Sequence, residues 1–245
     1  MNVYKKKFHI PASGVDRFDR LKLSQVLDYL QEVAGDHSAM LGTNRENLQE
    51  KHLFWAVLRH RVQITRLPRA GEDITVETWP MPTTRTAFPR STVAYDAAGE
   101  ELFRSVSVWV LMDTNQRAMV LPGKSGVNVE GLMLGSELAI PGSMVPRVLA
   151  NRETRAVRFT DLDRNGHMNN CRYLDWAADT LPSAFHSAHT AREFSVCYLS
   201  EAREGENLTL DWEFIEDGCL AVDAHRKEGE MSAGHSRVFS ARVLF

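Results

Sequence analysis

Two hydrophobic periods alternate along this chain, and they do so twice. Val26, Leu30, Val33, Ala34 and His37 recur at three- and four-residue steps, the spacing of one helix face. Ser24 is placed to cap that helix and Gly42 to stop it. From Leu53 onward the period shortens to two. Leu58, His60, Val62 and Ile64 alternate with Arg59, Arg61, Gln63 and Thr65, as in a half-buried strand. Further strands are predicted over 74–79, over 90–95 and around Val106, Val108 and Val110, with turns at Gly71 and 97–100. Across 121–150, Pro122, Gly123, Gly126, Gly131, Gly135, Pro141, Gly142 and Pro146 break any long period, so this stretch reads as a connection with short helical pieces. The order then restarts: a strand over 154–159, a helix over 170–180 with Tyr173, Trp176, Ala177 and Thr180 on one face, and strands over 194–199, 207–214, 220–226 and 236–244.

An element order that occurs twice calls for a test of internal repetition. A displacement of 144 residues lays Asp19-Arg20 on Asp163-Arg164, Tyr29-Leu30 on Tyr173-Leu174 and Ala34 on Ala178. A displacement of 134 lays Arg69, Gly71, Glu72 and Thr75 on Arg203, Gly205, Glu206 and Thr209. A ten-residue difference in the helix-to-strand connection reconciles the two. Each match is only a few residues, and chance is the alternative. The predicted class is α+β: a double hotdog, two tandem copies of a long helix wrapped by an antiparallel sheet, forming a pseudo-dimer with its sheets side by side. The predicted domains are 1–120, a linker over 121–150, and 151–245.

Composition narrows the function classes. The 245 residues are 43% hydrophobic, enough for one large or two small cores. A net charge of -3 speaks against a nucleic-acid partner. Cys171, Cys197 and Cys219 are odd in number and widely spaced, which fits reduced thiols in a cytoplasmic protein rather than a disulfide framework. No apolar run is long enough for a membrane span, and the first ten residues show no secretory signal. Lys5, Lys6 and Lys7 read as a solvated strand edge, with a partner-binding patch as the alternative. The scattered histidines, His60 and His225 among them, lack metal-ligand spacing, so neither a metal nor any other cofactor is expected.

The chemistry concentrates at 161–176. Asp163, Asn165 and His167 fall on every second residue of a turn-like segment at the mouth of the second helix. A carboxylate, an amide and an imidazole placed there make a candidate catalytic edge; a polar loop capped by Asn169 or Asn170 is the plainer reading. The repeat favours chemistry. In the alignment above, Asn165 faces Leu21, His167 faces Leu23 and Glu201 faces Leu67. A purely structural need would show in both copies. One active copy beside an apolar one that lines a pocket accounts for the asymmetry.

The chain resembles the acyl-acyl-carrier-protein thioesterases of plants and bacteria over nearly its whole length. The resemblance rests on Phe54-Trp55-Ala56-Val57, on Gly71-Glu72-Asp73 before Val76-Glu77-Thr78-Trp79, on Ser105 to Val110, and on Asp163-x-Asn165-x-His167-x-Asn169-Asn170 with Tyr173 and Trp176. It implies a double hotdog that hydrolyses fatty acyl thioesters of acyl carrier protein in fatty acid biosynthesis. It also implies that the family's catalytic Asp, Asn, His and Glu are Asp163, Asn165, His167 and Glu201. Plant members carry a cysteine after that Glu; here the position is Ala202, so a cysteine nucleophile is not expected and Cys171 and Cys197 read as buried small apolar residues.

Glu201 is then expected to act as general base, or as nucleophile, with His167 polarising or positioning the water, Asn165 and Asp163 orienting the set, and backbone N–H groups near Gly166 and His167 binding the oxyanion. Glu204 and Glu206 lie close enough in sequence to be confused with Glu201. Leu23, Leu27, Leu30 and Trp55 are the expected acyl-pocket residues, with Trp79 and Trp109 as core or pocket wall, and Arg59, Arg61, Arg66 and Arg69 are candidates for a basic face toward an acidic carrier. The competing readings are an acyl-CoA thioesterase, a hotdog hydroxyacyl-thioester dehydratase and a non-catalytic acyl-binding protein. Pairing of two copies into a homodimer is compatible with such sheets.

Overall fold

The computed structural model describes residues 3–216, 218–226 and 237–245. They divide into two compact units, Met1–Pro141 and Gly142–Phe245.

The first unit contains β1 (Tyr4–His9), α1 (Leu23–Met40), α2 (Arg45–Gln49), β2 (Leu53–Ile64), β3 (Asp73–Pro80), β4 (Phe88–Tyr95), β5 (Glu101–Asp113), β6 (Met119–Val120) and α3 (Pro122–Ser125). Its strands pair antiparallel in the order β1-β3-β4-β5-β2, with β6 against β5. α1 begins one residue before Ser24, which lies inside the helix as a buried residue and caps nothing. Gly42 does end it, at φ 69°, where a side chain would be strained. Val26, Leu27, Leu30 and Val33 turn one face of α1 inward, and the helix packs on β3 and β1.

The second unit contains β7 (Asn151–Ala156), α4 (Arg172–Asp179), α5 (Ser183–Ala188), β8 (Glu193–Tyr198), β9 (Asn207–Glu216), β10 (Cys219–Arg226) and β11 (Arg237–Leu244). The strands pair antiparallel in the order β7-β9-β10-β11-β8, the topology of the first unit with each strand replaced by its counterpart. One irregularity is shared: β5 and β11 each carry an extra residue at the matching place, Leu102 opposite Ala94/Tyr95 of β4 and Val238 opposite Ala224/His225 of β10. Two expectations need correction. The strand predicted over 154–159 ends at Ala156, and Phe159–Asp161 is a 3-10 turn. The second helix is also not long: α4 has 8 residues against 18 in α1, because Pro182 interrupts the chain before α5. Tyr173, Trp176, Ala177 and Thr180 are buried as expected. Ser236, predicted to begin the last strand, lies outside the described residues.

The lysines of β1 sit on an edge strand. Lys5 and Lys7 are exposed, but Lys6 points the other way and pairs with Asp36 and Glu32 of α1, each at 2.7 Å. These two carboxylates raise the Lys6 pKa. Within the described residues, no helix is long and apolar enough to cross a membrane.

Candidate functional site

The loop entering each helix is tied down by the same bonds. In the second unit Asp163 N donates to the His167 carbonyl at 2.8 Å, and the Asp163 Oδ1 accepts from the backbone of Asn165 at 2.8 Å and of His167 at 3.2 Å. In the first, Asp16 N donates to the Arg20 carbonyl at 2.8 Å, and Asp16 Oδ1 accepts from Phe18 at 2.8 Å and Arg20 at 3.0 Å. Met168 N reaches the Ala202 carbonyl at 2.8 Å, just as Leu21 N reaches that of Pro68 at 2.8 Å. Gly205 N bonds the Val157 carbonyl at 3.0 Å, as Gly71 N bonds that of Ile10 at 2.9 Å.

These matched bonds prove the repeat and correct its register. The helix entrances align by 147 residues, Asp16 on Asp163, rather than 144; the sheets align by 134 as expected. Asn165 therefore stands opposite Phe18 and His167 opposite Arg20, not opposite Leu21 and Leu23. Glu201 stands opposite Leu67, as expected. The aspartate recurs in both units, which assigns it to building the turn.

The turn carries its side chains to one place. Gly166, at φ 76°, supplies the left-handed residue that lets the chain reverse. Beyond it, His167 forms an isolated antiparallel bridge with Arg203, which brings its ring to the start of the loop after β8. His167 Nε2 lies 3.3 Å from Glu201 Oε2, with the imidazole 20% and the carboxylate 41% exposed. The carboxylate thus keeps much of its hydration, and Leu67, the residue opposite it, is 8% exposed. Asn165 is exposed and donates through Nδ2 to Asp163 Oδ2 at 3.1 Å. Asn169 accepts from Cys171 N at 2.9 Å and so acts as the turn-former of the plainer reading.

Of the expected set, Asp163, Asn165, His167 and Glu201 come together in one unit. Glu206 instead bonds Arg226 at 2.9 Å, and Glu204 is exposed. The expected backbone oxyanion donors are already used: Gly166 N bonds the Asp163 carbonyl at 3.0 Å and His167 N bonds Asp163 Oδ1. These two amides are therefore not available to an oxyanion. Sequence reasoning passed over Arg226, which is buried beside the loop at the end of the apolar strand β10; an arginine closing such a strand was the available signal.

The other candidates fall elsewhere. Leu27 and Leu30 are buried on the inner face of α1, and Leu23 is half-buried at its start. Trp55 packs edge-on against Phe88 and donates to the Thr43 carbonyl at 2.9 Å. Trp79 is buried and Trp109 packs on the cluster of Leu48, Leu53, Phe88, Leu111 and Val127. Cys171 and Cys197 are buried. Arg66 pairs with Glu72 and Asp96, and Arg59 bonds the Pro141 carbonyl. His225 bonds Asp211, and burial pushes the His60 pKa down to about 3. Among the described residues, no group of three or more His, Cys, Asp or Glu could hold a metal ion.

The model of the acyl-ACP thioesterase N-terminal domain matches residues 1–121, and that of the acyl-ACP thioesterase C-terminal domain matches 149–240. The palmitoyl-acyl carrier protein thioesterase of Gossypium hirsutum is 25% identical over 217 residues, covering 82% of this chain and 52% of its own length. The chain thus spans about half the length of the curated relatives it matches. Two solved structures share the fold. An acyl-ACP thioesterase from Bacteroides thetaiotaomicron superposes with a TM-score of 0.87 at 23% identity, covering 99% of this chain and 97% of that one. The 12:0-ACP thioesterase from Umbellularia californica gives 0.80 at 23% identity, covering 99% and 96%.

Proposed function

The chain belongs to the acyl-ACP thioesterase family, and on that premise we propose that it hydrolyses fatty acyl thioesters of acyl carrier protein to free fatty acid and holo-carrier, in fatty acid biosynthesis. The observation that carries this reading is the His167–Glu201 contact of 3.3 Å, present in a unit whose counterpart positions hold Arg20 and Leu67. Neither an arginine nor a leucine takes a proton from water.

In the proposed reaction Glu201 removes a proton from water and the hydroxide attacks the thioester carbonyl carbon. His167 holds the carboxylate in orientation through Nε2. Asn165, oriented by Asp163, offers its remaining amide hydrogen to the developing oxyanion. Collapse of the tetrahedral intermediate breaks the C–S bond. The leaving thiolate, whose conjugate acid has a pKa of about 8.5, takes back the proton from Glu201. No cofactor enters this scheme. Leu23, Leu27, Leu30 and Trp55 are proposed to accept the acyl chain; their apolar character and the inward face of α1 support this. A cytoplasmic location is proposed from the three free thiols, and cell fractionation tests it.

Turnover of matched acyl-ACP and acyl-CoA thioesters, with product analysis, tests the reading. Free acid from acyl-ACP, lost in Glu201→Ala and His167→Ala, is the expected result. Near wild-type turnover in both variants, or an enoyl thioester as product, overturns it; preference for acyl-CoA changes the substrate.

A further inference from the structure

Three matched positions carry a polar network in each unit, but the charges are placed differently. In the first unit Arg66 donates through Nη1 to both oxygens of Glu72, at 2.8 and 2.9 Å, and through Nη2 to Asp96 at 3.4 Å. The matching positions of the second unit are Ser200, Glu206 and Arg226. Arg66 and Ser200 both donate their N–H to the strand opposite, at Leu102 and Val238. Glu72 and Glu206 both accept at their carbonyl from the residue that follows the first strand of their unit, Ile10 after β1 and Val157 after β7. Asp96 follows Tyr95, which pairs with Thr75, and Arg226 follows His225, which pairs with Thr209. The glutamate is constant, and the arginine has moved from the first position to the third.

The move changes where the guanidinium points. Arg66 is 44% exposed, and Arg226 is 7% exposed. From its inner position Arg226 donates through Nε to Glu206 Oε2 at 2.9 Å, through Nη1 to Ser200 Oγ at 2.7 Å, and through Nη2 to the backbone carbonyl of Glu201 itself. Burying a cation carries a desolvation cost that the exposed arrangement in the first unit avoids. The buried form occurs in the unit that carries the carboxylate. A loop glutamate attached to a strand only through Leu199 and Ser200 needs its main chain held before its side chain can meet a ring at a set distance.

We propose that Arg226 is a positioning residue for Glu201: its planar fork clamps Ser200 and the Glu201 carbonyl, with Glu206 as counter-charge, and so sets the carboxylate against His167. This rests on the assignment of Glu201 and His167 above. The clamp does not touch substrate. Its loss therefore lowers kcat and leaves KM nearly unchanged, since a misplacement of about 1 Å costs on the order of 10²-fold in rate.

Steady-state kinetics on the full chain with an acyl-ACP substrate, well below the melting temperature, tests this. Arg226→Gln is expected to lose kcat on the order of 10²-fold with KM within about twofold. Arg226→Lys keeps the charge opposite Glu206 but not the fork, so it is expected to fold like the wild type and still lose most of kcat. Asp96→Asn, at the matching position of the first unit, is expected to keep kcat. Wild-type kcat in folded Arg226→Lys and Arg226→Gln overturns the proposal, as does a rise in KM with kcat intact. Glu201→Ala separates the two levels. If it is inactive while the Arg226 variants are fully active, only the clamp fails; if it is fully active, the underlying assignment fails.

Discussion

The two units of this chain share a strand order and the turn that enters their helix, and they differ in the side chains that those shared parts present. Strand order, the bulge in β5 and β11, the glycine at Gly71 and Gly205 and the aspartate-built turn before each helix all agree. At the helix entrance and the loop that faces it, the difference lies at positions whose side chains leave these backbone bonds untouched: Phe18 against Asn165, Arg20 against His167, Leu67 against Glu201. Asp163 belongs with the shared part. The comparison therefore separates residues that build the loop from residues the loop presents, without any alignment of other proteins.

Substitutions that copy one unit into the other test that separation. The largest effect is expected for Glu201→Leu, which installs the residue of the first unit. Removing a general base costs about 10²–10⁴-fold in kcat/KM, while the melting temperature holds or rises because the scaffold already accommodates leucine at the matching place. A comparable loss of stability would mean that the glutamate is structural. Next come the paired aspartates. Asp16→Ala and Asp163→Ala each strand two backbone N–H groups and are expected to lose about 1–3 kcal/mol in urea unfolding. Only Asp163→Ala should also lose activity at a temperature where both variants are folded; equal activities would erase the distinction. Gly166→Ala should cost about 1 kcal/mol by placing a Cβ at positive φ. Asp19 occupies that place in the first unit at φ 58°, with its carboxylate accepting from Ala70 N at 3.1 Å, so Asp19→Ala measured beside it shows whether the side-chain bond offsets the strain.

The smallest effect at neutral pH concerns His60, which matches Phe194. Burial lowers the His60 pKa from 6.5 to about 3, so the folded chain resists a proton that the unfolded chain accepts. Its contribution is complete above about pH 6.5 and falls away as the pH drops toward 3. His60→Phe should flatten that part of the stability-against-pH curve, and an unchanged slope would show that other groups produce it.

Much of this was legible in the chain. The change of period between Ser24 and Ile64 located α1 and β2 because helix and strand bury faces at different spacings. The repeat was visible too, but its register at the helix entrance was off by three residues. The first copy reads Asp16-Arg17-Phe18-Asp19-Arg20, so the Asp-Arg pair occurs twice. A slip of three residues turns a helix by only about 60°, which leaves its apolar face in nearly the same place. Side-chain periodicity could not separate the two registers, whereas the bonds of the aspartate turn do. The same limit explains Ser24: it has the chemistry of a cap, and the helix starts one residue too early for it to act as one.

From the sequence alone came the two copies, their sheets and the polar set of the second helix entrance, because burial periodicity and turn chemistry are local properties written along the chain. Tertiary structure decided which aspartate matches which, that the Gly166 and His167 amides are consumed within the turn, that Glu201 rather than Glu206 meets His167, and that Arg226 closes over the Glu201 backbone. Each of those depends on hydrogen bonds between residues close in space but, for Glu201 and Arg226, far apart in sequence, and no local pattern records which donor reaches which acceptor.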